Sequence, residues 1–173
     1  MNGLIQSKKQ LEKLAKIREE QQKKDIHFMR LALREAGKAL AGGEVPVGAV
    51  IVCDNRVIAR SFNKKEGKNC AVFHAEINAI ISASKKMGWR LENCEMYVTV
   101  EPCLMCTGAI ASARIKRLVF GAHENRSGYC ESRGNLLKDN GLNHNVECEG
   151  GVLEDECLAL LEGFFIQNRK KVR

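Results

Sequence analysis

Aromatic residues are scarce, at 5% of the 173 residues with a single tryptophan, so a core built on large rings is excluded and aliphatic side chains must fill it. No apolar run is long enough to span a bilayer, and the amino terminus lacks the apolar stretch of a secretory signal. The expected setting is therefore the cytoplasm, with no membrane association. The sequence also lacks internal repeats and any composition break that would mark a second folded domain. Eight cysteines are present, but their uneven spacing through helical and strand-like segments argues against a disulfide framework. What remains is a chain 45% hydrophobic, long enough to bury one sizeable core.

Two short segments carry the chemistry: His74-Ala75-Glu76 and Pro102-Cys103-Leu104-Met105-Cys106. His74, Cys103 and Cys106 offer three zinc ligands. A structural zinc site closes the metal with four protein ligands, whereas three leave a position for a water that the metal can acidify. If Pro102 opens a helix, a position proline suits, both sulfurs emerge from its first turn, where the helix dipole favours thiolates. Glu76 then sits two residues from the histidine, placed to exchange protons with that water without binding the metal. A lone C-x-x-C would also fit a structural or redox pair; its company with H-A-E is what favours zinc.

The coarse element order supports this reading. A helix is predicted from Asp25, read as its cap, to Gly42-Gly43. Val47–Cys53 and Arg56–Phe62 read as a hairpin about Asp54-Asn55. After a Lys/Gly-rich loop at 64–69, the H-A-E helix runs to Gly88, a strand covers Glu95–Val100, and the cysteine helix follows. Leu118–Phe120 and Val146–Val152 read as further strands. A terminal helix spans about Asp155–Asn168, with Phe164 and Phe165 assigned to its buried face. The expected fold is a three-layer α/β/α sandwich about a central mixed five-stranded sheet. Residues 25–173 form its single domain, preceded at 1–24 by a basic extension with seven lysines and arginines against three glutamates. Leu4, Leu11 and Leu14 give that extension only a thin apolar stripe, so it reads as a loosely held helix or a basic arm.

The two motifs match the H-x-E and P-C-x-x-C signature of zinc-dependent nucleobase deaminases. From Asp25 onward the chain resembles bacterial tRNA adenosine deaminases of the cytidine deaminase-like superfamily. The resemblance rests on Glu44-Val45-Pro46-Val47-Gly48-Ala49-Val50, Asn63, His74-Ala75-Glu76, Val100-Glu101-Pro102-Cys103-Leu104-Met105-Cys106, Val119-Phe120-Gly121-Ala122, Gly150-Gly151-Val152-Leu153 and Phe164-Phe165. It implies conversion of wobble adenosine to inosine with release of ammonia, one Zn²⁺ per subunit, Glu76 as proton carrier and Asn63 bonded to the flipped base. It also implies a homodimer that holds a tRNA anticodon stem-loop, with Arg169 and Lys170 as phosphate contacts. A net charge of +7 agrees with a polyanionic partner. The family pattern Asp-Pro-Thr-Ala before the histidine is replaced by Cys70-Ala71-Val72-Phe73, and the bulk of Phe73 implies a rearranged pocket or RNA path. Two other readings stay open: a deaminase of a free nucleobase or nucleoside, and a non-catalytic zinc-stabilised RNA-binding module.

Overall fold

Alternate side chains of the strands are apolar on both faces, and helices cover each face. The structure is a computed structural model that describes residues 2–138, 141 and 144–171, with side chains described for 9–138, 141 and 144–169. The elements run α1 (Asn2–Ala41), β1 (Gly48–Cys53), β2 (Arg56–Phe62), α2 (Ala75–Met87), β3 (Cys94–Val100), α3 (Leu104–Ser112), β4 (Arg117–Ala122), β5 (Glu147–Glu149) and α4 (Glu154–Lys171). The five-stranded sheet has the order β2-β1-β3-β4-β5. β1 is antiparallel to both β2 and β3, while β3, β4 and β5 are parallel, so the sheet is mixed as expected. Asp54 and Asn55 both take left-handed φ, 48° and 59°, which closes the β1–β2 hairpin with the twist such ribbons require.

Ile51, Met96, Val98, Leu118 and Phe120 meet Ala79, Ala83, Ile110 and Ala111 of α2 and α3 on one face. Val50, Val52, Tyr97 and Val119 meet Phe28, Met29 and Ala32 of α1 and Cys157 of α4 on the other. Two glycines allow the outer helices to press close. A Cβ at Gly48 would collide with the α1 backbone at Ala32 and Ala36, and one at Gly121 with Cys157 of α4. α4 is further fixed where Glu154, in its first turn, accepts from His123 at 2.7 Å. Its later turns are thereby held over the ends of the strands.

Several boundaries differ from the sequence reading. Asp25 is not a helix cap: α1 runs unbroken through it from Asn2, and Asp25 is buried in mid-helix. It takes a two-pronged contact from Arg117 at 2.7 and 2.8 Å, and the Tyr97 hydroxyl lies at 2.9 Å. Its carboxylate is thus committed to a tertiary ion pair and not to a helix end. Pro102 does not open α3, which begins at Leu104 with Cys103 as its N-cap. The Pro102 carbonyl is instead taken up by the Tyr129 N–H at 3.0 Å and the Thr107 hydroxyl at 3.2 Å. β5 is shorter than Val146–Val152, because Gly151 and Val152 turn back to bond Gly121 and Phe120. In the extension, residues 9–20 are exposed on a helix continuous with the docked part of α1.

Burial works against the Asp25 carboxylate, but Arg117, Tyr97 and Gln21 outweigh it and hold its pKa below the usual value. Its stabilisation is therefore present above the unfolded pKa of about 3.9 and is lost as pH falls through the lower folded value. We expect Asp25→Ala to cost about 3 kcal/mol in urea unfolding at neutral pH, because it strips Arg117 of its closest partner. The difference from wild type should narrow below about pH 4; an equal gap at all pH values would refute this assignment.

Candidate zinc site and active-site cavity

Two helices begin at the same place, and each contributes a ligand from its N-cap. His74 is the N-cap of α2 and Cys103 that of α3, both in extended conformation and neither using its side chain to cap its own helix. Cys106 lies in the first turn of α3, Glu76 in the first turn of α2. His74 Nδ1 is 3.8 Å from Cys103 Sγ and 3.6 Å from Cys106 Sγ, and the three ligand atoms lie within 4.8 Å of one another. Tetrahedral bonds of about 2.1 Å to nitrogen and 2.3 Å to sulfur place such atoms about 3.6 Å apart, so the donor set fits zinc. It is the only such cluster among the described residues.

The electrostatics agree with a cation. A hydrogen bond from Cys106 draws the Cys103 thiol down to about 4, while that same bond and burial push Cys106 up. Zinc would hold both sulfurs as thiolates, so its binding would be coupled to proton release. The His74 imidazole is raised by its contact with Cys103. Glu76 is raised by full burial, and its Oε2 has no hydrogen-bond partner among the described residues. A buried carboxylate oxygen without a partner is costly unless something else meets it, here a ligand of the same cavity.

That cavity has a volume of about 210 Å³. His74, Glu76, Cys103 and Asn63 all line it. Asn63 is buried, accepting from the Ala75 N–H at 2.9 Å through Oδ1 and donating to the Val45 carbonyl at 3.2 Å. Among the described residues, one amide N–H and one Oδ1 lone pair have no partner. Phe73 does not line the cavity; its carbonyl receives the Lys64 N–H and the Asn78 amide. Phe165 is not core: it is 43% exposed and lines the cavity with Leu161 of α4, while Phe164 packs against it edge-on. Arg169 is exposed one turn beyond Phe165 on the same side of α4; the side chain of Lys170 lies outside the described residues. Sequence reasoning missed Lys65, Glu124 and Ser127, which also line the cavity with Glu101, a residue of the cysteine motif to which no role was given. Only Lys65 had left a signal, in the lysine-rich loop before the histidine.

Residues 22–122 match the family model of the cytidine and deoxycytidylate deaminase zinc-binding region. The chain belongs to this family, and within it groups with tRNA-specific adenosine deaminases. It is 44% identical to the tRNA-specific adenosine deaminase of Bacillus subtilis (strain 168) over 148 residues, 85% of this chain and 92% of that protein. It is 44% identical to that of Haemophilus influenzae over 159 residues, covering 91% and 90% of the two chains. A solved structure from a study of A-to-I editing by tRNA:A34 deaminases at the wobble position superimposes with a TM-score of 0.75 at 43% identity. The match spans 78% of this chain and 99% of that one.

Purified protein should carry about one zinc per chain, and loss of one of its three protein ligands in His74→Ala or Cys103→Ser should abolish stoichiometric binding. Stripping with a chelator should lower the melting temperature, since an ion held only by the native state at a thousandfold over its Kd contributes about 4 kcal/mol. Elemental analysis and calorimetry check both; full zinc in either variant would contradict the ligand set.

Proposed function

We propose that the protein is a tRNA adenosine deaminase that converts wobble adenosine of an anticodon loop to inosine and releases ammonia. The observation that carries the reading is the buried Glu76 carboxylate, whose Oε2 has no hydrogen-bond partner among the described residues, sharing a cavity with His74, Cys103 and Asn63. The cavity is below the range of about 300–1,000 Å³ usual for drug-sized ligands, which suits one nucleobase. A base held there must be splayed out of its loop, and single-stranded loops are where RNA bases are free to do so.

Bound zinc supplies Lewis acidity, making hydroxide accessible near neutral pH. Glu76 takes the first proton that the attacking water gives up and delivers it to the ring nitrogen, then carries the second proton from that oxygen to the amine as the carbonyl forms and the C–N bond breaks to release ammonia, so that one carboxylate acts as base and then acid. Asn63 holds the base edge through its free N–H. Lys65 at the cavity, and Arg169 and Lys170 on α4, contact phosphates. Residues 25–173 act as the deaminase domain and 1–24 as a basic extension, in keeping with a family match that begins at residue 22.

The protein works as a homodimer in the cytoplasm. Leu104 and Met105, exposed beside the site, suit coverage by a second copy. Light scattering and cell fractionation test these two statements.

Zinc-loaded protein incubated with an anticodon stem-loop bearing wobble adenosine should yield inosine, read by mass analysis of digested nucleosides. Glu76→Gln should abolish it while keeping zinc and RNA affinity; unchanged turnover would sink the mechanism. Affinity should fall steeply between about 50 and 200 mM salt, whereas a free-base deaminase would show little dependence. Asn63→Ala should cost about 1–3 kcal/mol in kcat/KM, the cost of an unmatched buried polar edge, and wild-type kinetics would remove Asn63 from the site.

A further inference from the structure

Glu101 is buried at the end of β3, two residues before the first ligand cysteine, and its carboxylate is an anchor for backbone. Oε1 accepts from the N–H groups of Cys130, Glu131 and Ser132 at 3.1, 2.8 and 2.9 Å. Oε2 accepts from the Glu124 N–H at 3.0 Å and from the Ser132 hydroxyl. All five donors lie in the segment 123–133 that follows β4. The same segment is stitched to the ligand strand: Cys103 bridges Gly128, and the Tyr129 N–H bonds the Pro102 carbonyl. Gly128 rests against the carboxylate so closely that a Cβ there would collide with it. Charge-assisted bonds to backbone N–H groups are among the stronger hydrogen bonds, and five on one carboxylate define the segment's path.

That path matters because the segment places Glu124 and Ser127 at the cavity. The wall they form presents a carboxylate and a hydroxyl, whereas Lys65 lines the cavity from the segment after β2. A second buried carboxylate holds that other segment: Glu44 accepts from the Glu66 and Gly67 N–H groups at 3.1 and 2.8 Å. Of the residues that line the cavity, these two segments thus bring unlike charge, Glu124 from one and Lys65 from the other, while Arg126 of the first is exposed outside the lining. A carboxylate repels phosphate and accepts from amino and hydroxyl groups, while an ammonium attracts phosphate.

We propose that Glu101 is a positioning residue that, through segment 123–133, fixes an acidic and hydroxyl-bearing wall at the cavity and so orients the RNA strand across its mouth, with base and ribose edges toward Glu124 and Ser127 and phosphates toward Lys65. The proposal rests on the deaminase reading for its substrate, but the anchor itself does not. Glu101 touches no reacting atom; its effect falls on binding.

The test uses the full-length, zinc-loaded protein and two variants that attack the anchor from opposite sides. Glu101→Gln turns an amide toward the loop donors, and Gly128→Ala forces the segment off an intact carboxylate. Ser132→Ala, which removes one bond, gives a milder version should either fail to fold. Hydrogen exchange read by mass spectrometry should rise about tenfold or more across 123–133, since protection reports the local opening equilibrium. α2 peptides and zinc content should stay at wild-type values. KM for the stem-loop should rise about tenfold with kcat within about twofold, the pattern of lost uniform binding. Glu44→Gln, as the opposite-wall control, should leave exchange in 123–133 unchanged. Unaltered protection in both anchor variants would overturn the proposal, as would loss of zinc together with a fall in kcat at constant KM. Exchange and zinc are read without turnover, so a wrong substrate reading appears separately, as absence of inosine from wild type.

Discussion

The site depends on two helix starts meeting at one end of a sheet. An N-cap residue is the one place where a side chain can leave a helix along its axis while the backbone behind it is already rigid. His74 and Cys103 both occupy that position, and Cys106 and Glu76 follow within the first turn of their respective helices. The positive ends of both helix dipoles therefore face a site that must hold thiolates and a carboxylate. The sheet sets the distance between the two starts. Because α2 leads into β3 and β3 leads into α3, the strand that separates the motifs in sequence is also the spacer that brings them together in space.

The site was legible in the sequence to the extent that it is local. The three ligands and Glu76 sit in two segments of a few residues each, and their spacing carries the chemistry directly. The sheet hairpin and the helix ends at Gly43 and Gly88 were legible for the same reason, each being set by a turn or a left-handed glycine. Asp25 was misread because the preference of aspartate for helix starts is local, whereas its partner Arg117 is 92 residues away. Pro102 was misread because its carbonyl is claimed by Tyr129, in a segment with no motif at all. Phe165 followed the pattern of a buried stripe, yet the inward face of α4, which meets the core at Cys157, meets the cavity by Leu161 and Phe165. Glu124 gave no signal, and Glu101 stood only as part of the motif around the cysteines, since a glutamate that anchors a loop looks like any other until the loop is in place.

Two buried networks divide the molecule. At the end of the sheet away from the site, Asp25, Tyr97, Glu95, Lys24 and Arg117 tie α1 to the starts of β3 and β4. At the site end, carboxylates meet backbone amides in place of side-chain cations. The first network locks helix to sheet; the second shapes loops, which is where a family with one chemistry varies its contacts.

The length of α1 has a consequence for folding. The helix rises about 1.5 Å per residue, so its first half projects as a rod beyond the sheet that its second half packs on. A free segment of that size would seldom be helical, because forming the first turn is unfavourable. Here the packed residues from Asp25 to Ala39 serve as a permanent nucleus, and each further turn only has to propagate. The rod thus borrows its order from the core.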